Sequence, residues 1–121
     1  MNAQNRGQGT GVRKMGLYIQ VITTTEKKED AEKIAITLVE KKLAACVQIA
    51  GSITSVYRWK GNIETAEEWQ CVIKSRGDLY EEIERAIKSV HPYEVPEIIA
   101  VPIVAGSGDY LEWLQGELIE K

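Results

Sequence analysis

Phenylalanine is missing from this 121-residue chain, histidine occurs once, cysteine twice and proline three times. Two cysteines are too few for a disulfide framework or a four-cysteine zinc site within one copy. A lone histidine offers no histidine pair, so it is a weak metal signal unless other ligands stand near it. Long apolar runs are also absent. The longest, Ile98 to Ala105, is eight residues interrupted by Pro102, far short of a bilayer span. Neither sign of charge dominates: 18 acidic and 15 basic side chains give a net charge of −3. The basic residues are scattered among acids, which excludes a nucleic-acid stripe and gives no cause for membrane insertion. No Ser-His-Asp or Cys-His spacing occurs, and no catalytic residue is expected.

What is present favours sheet. Fourteen isoleucines and ten valines stand against seven leucines, and β-branched side chains suit a pleated surface. Residues 1–16 are rich in glycine and amides, hold no acid and carry no apolar segment of the kind a secretory signal needs. They read as a flexible tail, with a cytoplasmic location expected. Residues 17–121 read as one domain. Leu17, Ile19 and Val21 alternate as in a strand. Ala31, Ile34, Ala35, Leu38 and Val39 then mark a helix face, with Thr24 or Thr25 available as its cap. Two strands flank a Lys60-Gly61-Asn62 turn. A second helix carries Leu79, Ile83, Ala86, Ile87 and Val90 behind an Asp78–Glu81 capping box. A doubly covered strand is expected over Glu97–Val104, then a helix capped by Ser107 or Asp109. The order predicts an α+β fold: a ferredoxin-like β-α-β-β-α-β sandwich with a long β-hairpin and a C-terminal helix.

The hairpin carries an implication about partners. A strand from Ile63 to Ser75 spans roughly 43 Å, whereas a twelve-residue helix covers about 18 Å. The hairpin must overhang the helical layer, bearing Tyr57, Trp59 and Trp69 near its tip. Aromatic residues of this size are costly to leave exposed. Tyr57, Trp59 and Trp69 are therefore candidate contacts to sister subunits in a closed homo-oligomer.

The densest chemistry lies in His91-Pro92-Tyr93-Glu94-Val95-Pro96-Glu97, where prolines stiffen a loop holding the histidine, a tyrosine and two carboxylates. His91 is the candidate metal ligand. Trp59, Glu67, Lys74, Tyr93, Glu94 and Glu97 are candidates for lining an intersubunit cleft, with Glu68 beside Glu67 on the same strand. Cys46 and Cys71 fall on paired strands but out of register, so no disulfide is expected. Gly106-Ser107-Gly108-Asp109-Tyr110-Leu111 lacks the third glycine of a dinucleotide loop and reads as an ordinary helix start.

Several motifs in order resemble one family. Lys42-Leu43-Ala44-Ala45-Cys46-Val47, Tyr57-x-Trp59-x-Gly61-x-Ile63, His91-Pro92-Tyr93-x-x-Pro96-Glu97 and Asp109-Tyr110-Leu111-x-Trp113-Leu114 are similar to the CutA divalent-cation-tolerance proteins. The resemblance spans roughly residues 17–118. It implies a ferredoxin-like subunit in a tight homotrimer, clefts between subunits, and a non-enzymatic role in tolerance of divalent cations, copper above all. No cofactor is implied beyond Cu(II) or another divalent cation as ligand. Copper ligands proposed in a bacterial member are a cysteine and two adjacent histidines; those positions hold Thr23, Val90 and His91 here. The rival reading is a small-molecule-binding signalling trimer like the nitrogen-regulatory PII proteins. Those need a long loop between the second and third strands, where this chain has only the Lys60–Asn62 turn.

Overall fold

The computed structural model describes residues 17–121; the expected tail, 1–16, lies outside the described residues. The elements run β1 (Tyr18–Thr25), α1 (Lys28–Glu40), β2 (Cys46–Trp59), β3 (Asn62–Arg76), α2 (Tyr80–Val90), β4 (Ile99–Pro102) and α3 (Gly108–Gly116). The sheet order is β2-β3-β1-β4 with every neighbouring pair antiparallel. β1 and β2 both oppose β3, so they run parallel and need the α1 crossover; β3 and β4 need α2 for the same reason. This is the expected ferredoxin-like α+β arrangement.

Side chains alternate across the sheet as the pleat requires. Ile19 and Val21 of β1 meet Cys71 and Ile73 of β3, and Ala31, Ile34 and Leu38 of α1 with Ile83 and Ile87 of α2 close over them. Leu114 of α3 and Leu118 join the same core. The turn joining β2 to β3 is shorter than expected: only Lys60 and Gly61 lie outside the strands. Both have positive φ, 51° and 85°, the signature of a two-residue type I′ hairpin.

Four local expectations are corrected. Neither Thr24 nor Thr25 caps α1: Lys27 holds that position without a side-chain cap, and Thr25 Oγ1 instead donates to the Lys27 carbonyl at 2.8 Å. The Asp78 box is also absent, because the Arg76 guanidinium takes Asp78 Oδ1 at 2.6 Å and a charge-assisted bond outcompetes an amide cap. β4 runs only from Ile99 to Pro102 and is half open to solvent rather than covered on both faces. Trp69 is not near the hairpin tip. It pairs with Thr25 and Gly51 at the shoulder where the hairpin leaves the body. Two other expectations stand: Ser107 Oγ caps α3 by accepting from Tyr110 N at 3.2 Å. Cys46 faces Lys74 and Cys71 faces Ile49, leaving two free thiols.

Two points hold this frame. Gly51 lies flat against Trp69, so an added Cβ would come within 2.5 Å of the indole, and the register slips between Gly51 and Ile53. Arg76, nearly buried, also donates to Gln115 Oε1 at 3.3 Å and the Ile119 carbonyl at 2.8 Å, tying the C-terminal segment to β3. Gly51→Ala is expected to cost about 1–3 kcal/mol through overpacking. Arg76→Met, which takes the donor from the Ile119 carbonyl and Gln115 Oε1 while the half-exposed Asp78 stays hydrated, is expected to cost about 1–3 kcal/mol. Urea unfolding of each variant measures both.

Candidate functional site

β1 pairs with β3 only over Trp69–Arg76, while β2 pairs with β3 out to Trp59 and Asn62. From Ile53 and Glu68 outward the two strands have only each other, seven residues a side, an arm of roughly 23 Å. Its apolar surface is open: Val56 is 66% and Ile63 70% exposed, with Tyr57 and Trp59 also uncovered. At the root of this arm a cavity of about 570 Å³ opens between it and the loop after α2. Thr24, Ser55, Tyr57, Trp59, Glu68, Tyr93, Glu94 and Glu97 are among its walls.

The loop is pinned by its histidine. His91 Nε2 lies 2.8 Å from the Thr24 carbonyl, and His91 Nδ1 accepts from Tyr93 N at 3.1 Å. The first contact requires a donor and the second an acceptor, which sets the Nε2–H tautomer of the neutral ring. Burial lowers the His91 pKa below its ordinary 6.5, outweighing the upward pull of the Thr24 carbonyl, Asp30 and Glu68. Tyr93 packs beside the imidazole, ring centroids 4.9 Å apart, and its hydroxyl donates to Glu68 Oε2 at 2.7 Å. Burial, then the Glu68 hydrogen bond and charge, push the Tyr93 pKa up, so the phenol keeps its proton. Tyr80 Oη reaches the Ile98 carbonyl at 3.4 Å at the far end of the loop.

The sequence candidates divide along the pleat. Trp59, Tyr93, Glu94 and Glu97 line the cavity together. Glu67 does not: it points to the other sheet face, accepting from Ser52 Oγ at 3.2 Å and Thr54 Oγ1 at 2.8 Å. Lys74 shares the Glu68 face but lies six residues away, about 20 Å, where it donates to Gln48 Oε1 at 3.0 Å. Trp69 stands apart at the shoulder, under the Lys28 ammonium at 5.3 Å. Thr23 faces the core opposite Cys71, its hydroxyl without a hydrogen-bond partner among the described residues. Of the neighbours Glu67 and Glu68 that the sequence offered for the cleft, Glu68 is the one that reaches the cavity. Its face was readable, since the Trp69-Cys71-Ile73 alternation puts Glu67 on the helix side of the sheet and Glu68 on the other side, where Tyr93 covers it. Among the described residues no three His, Cys, Asp or Glu side chains converge as a preformed metal centre.

Comparison with known proteins gives a consistent answer. The model of the family described as CutA1 divalent ion tolerance protein matches residues 19–117. The Divalent-cation tolerance protein CutA of Thermus thermophilus is 41% identical over 95 residues, 78% of this chain and 92% of that protein. The chloroplastic Protein CutA of Arabidopsis thaliana is 43% identical over 97 residues, 80% of this chain, and the chain spans only 53% of its length. The solved structure of the periplasmic divalent cation tolerance protein CutA of Archaeoglobus fulgidus superposes with a TM-score of 0.80 at 38% identity, covering 83% of this chain and 97% of that one. These names describe tolerance proteins rather than enzymes, and they place relatives in the chloroplast and the periplasm. No described helix is long and apolar enough to cross a membrane.

Two outcomes follow from this geometry. The unfolded chain takes up a proton at His91 first as pH falls through 6.5, so the contribution of the neutral, buried ring to stability is lost below that pH and present above it. The melting temperature of the wild type should fall on acidification through this range, and His91→Gln should flatten that slope. Tyr93→Phe removes the hydroxyl that donates to Glu68 and is expected to cost about 1–3 kcal/mol, read by chemical denaturation at pH 7.

Proposed function

The chain belongs to the CutA1 divalent ion tolerance family, and from that premise we propose that it is a non-enzymatic homotrimer acting in tolerance of divalent cations, copper in particular. The observation that carries the assembly is the arm. Seven residue pairs project beyond β1, and Val56, Tyr57, Trp59 and Ile63 lie exposed on them, an apolar patch of the kind that marks an interaction site. β2 is also an edge strand of fourteen residues, and an unpaired edge of that length favours addition of a strand from a neighbour. Tyr57 and Trp59 on the arm, with Trp69 at its base, are the proposed contacts.

Copper is the proposed metal, weakly held by exposed carboxylates of the loop, Glu94 and Glu97. Carboxylate oxygen and imidazole nitrogen both suit Cu(II). His91 joins only if Nδ1 gives up the Tyr93 N–H, so one subunit supplies a partial donor set that water or a neighbouring subunit completes. Cytoplasmic residence is part of the same reading and is tested by fractionation of the native cell.

Sedimentation velocity at micromolar concentration is expected to give three times the subunit mass, and Tyr57→Glu with Ile63→Glu to give monomer. A folded wild-type monomer overturns the assembly. Calorimetric titration with Cu(II) should show binding weakened at least about tenfold by Glu94→Gln with Glu97→Gln, which corresponds to about 1.4 kcal/mol. Equal affinity in wild type and His91→Ala removes His91 from the site.

A further inference from the structure

The cavity beside the arm holds a carboxylate that the described residues leave without a cation. Glu68 is 6% exposed and lines the cavity. Among the described residues it has one hydrogen bond, from Tyr93 Oη, and no ion pair. A carboxylate withdrawn from water is costly unless positive charge or further donors replace its hydration. Nothing in the walls does so. Glu94 and Glu97 add negative charge, and among the described residues no lysine or arginine lines the space.

The other walls say which cation fits. Tyr57, Trp59 and Tyr93 bring aromatic side chains to the same cavity. Trp59 already shows what its ring accepts: the Lys60 ammonium stands 5.6 Å from its centroid. A divalent metal ion needs a compact shell of convergent donors, and no three His, Cys, Asp or Glu side chains converge among the described residues. About 570 Å³ of space is also far more than a bare ion fills. An alkylated ammonium is weakly hydrated, is attracted to aromatic faces and pairs with a carboxylate. We propose that this cavity binds an organic ammonium ion, its charge toward Glu68 and its alkyl groups against Tyr57, Trp59 and Tyr93. The proposal rests on the cavity between arm and loop staying open when the arm meets a neighbour as in the preceding reading, so that Tyr57 and Trp59 serve both, and not on the response to metal. The rival occupant of the same charge is Arg58 or Lys60 from a second copy.

Calorimetric titration of the full chain, stripped of metal with EDTA, uses three probes of similar shape: tetramethylammonium, tert-butanol and pivalate. Saturable binding of tetramethylammonium is expected, with tert-butanol at least about tenfold weaker and pivalate silent. Glu68→Gln, which still accepts from Tyr93, and separately Trp59→Leu should each weaken tetramethylammonium at least about fivefold while the melting temperature shows a folded protein. Equal binding of tert-butanol or pivalate overturns the proposal. So does silence with all three probes, and so does unchanged affinity in a folded Glu68→Gln or Trp59→Leu. If silence is accompanied by dissociation of the assembly in Arg58→Ala or Lys60→Ala, the cavity belongs to the neighbouring copy instead. Cu(II) titration of the same preparation reports separately on the metal reading, so either can fail alone.

Discussion

The antiparallel pairing of β2 with β3 beyond the last residue of β1 is the constraint on which the rest of this molecule depends. From Trp69 to Lys74 β3 has strands on both sides and helices above it. Past Trp69 it has β2 alone, and a two-stranded ribbon has too little buried surface to stand by itself. The chain nevertheless invests its aromatic and β-branched residues there. In the proposed assembly the arm takes its cover from outside the subunit, and the cavity exists because the arm stands clear of the loop that faces it.

That loop is fixed by a relay of short polar contacts. The Thr24 carbonyl, at the end of β1, holds His91; His91 receives the Tyr93 amide; Tyr93 Oη meets Glu68 on β3. Each partner satisfies a group that burial would otherwise leave unpaired. The relay also explains why the histidine is a poor ligand as it stands, since both ring nitrogens already serve the fold. The carboxylates that remain uncommitted, not the imidazole, give the site its character.

Much of this was legible in the residues. Period-two alternation in β1 and β3, and the 3,4-spaced stripes of α1 and α2, located four of the seven elements and their buried faces. The ratio of strand to helix length revealed the overhang. What escaped was decided by competition between neighbours. Asp78 has ideal cap spacing, but Arg76 two residues earlier captures it. Trp69 seemed to sit near the tip because the register slip at Gly51 and the end of β1 were not visible in the sequence. The relay through His91 joins residues 67 positions apart, and no local pattern encodes which carbonyl a buried imidazole will find.

The Lys60–Gly61 turn leaves no slack at the end of the arm. In paired strands a side chain changes face with every residue. A single insertion between Ile53 and Tyr57 would therefore turn Tyr57 and Glu68 to opposite sides of the ribbon, dismantling the wall they share. Two residues added to each strand would keep both in place and carry the tip about 7 Å farther out. Short of a register slip like the one at Gly51, the reach of this arm can change only in whole pleats, like a ruler cut in fixed divisions.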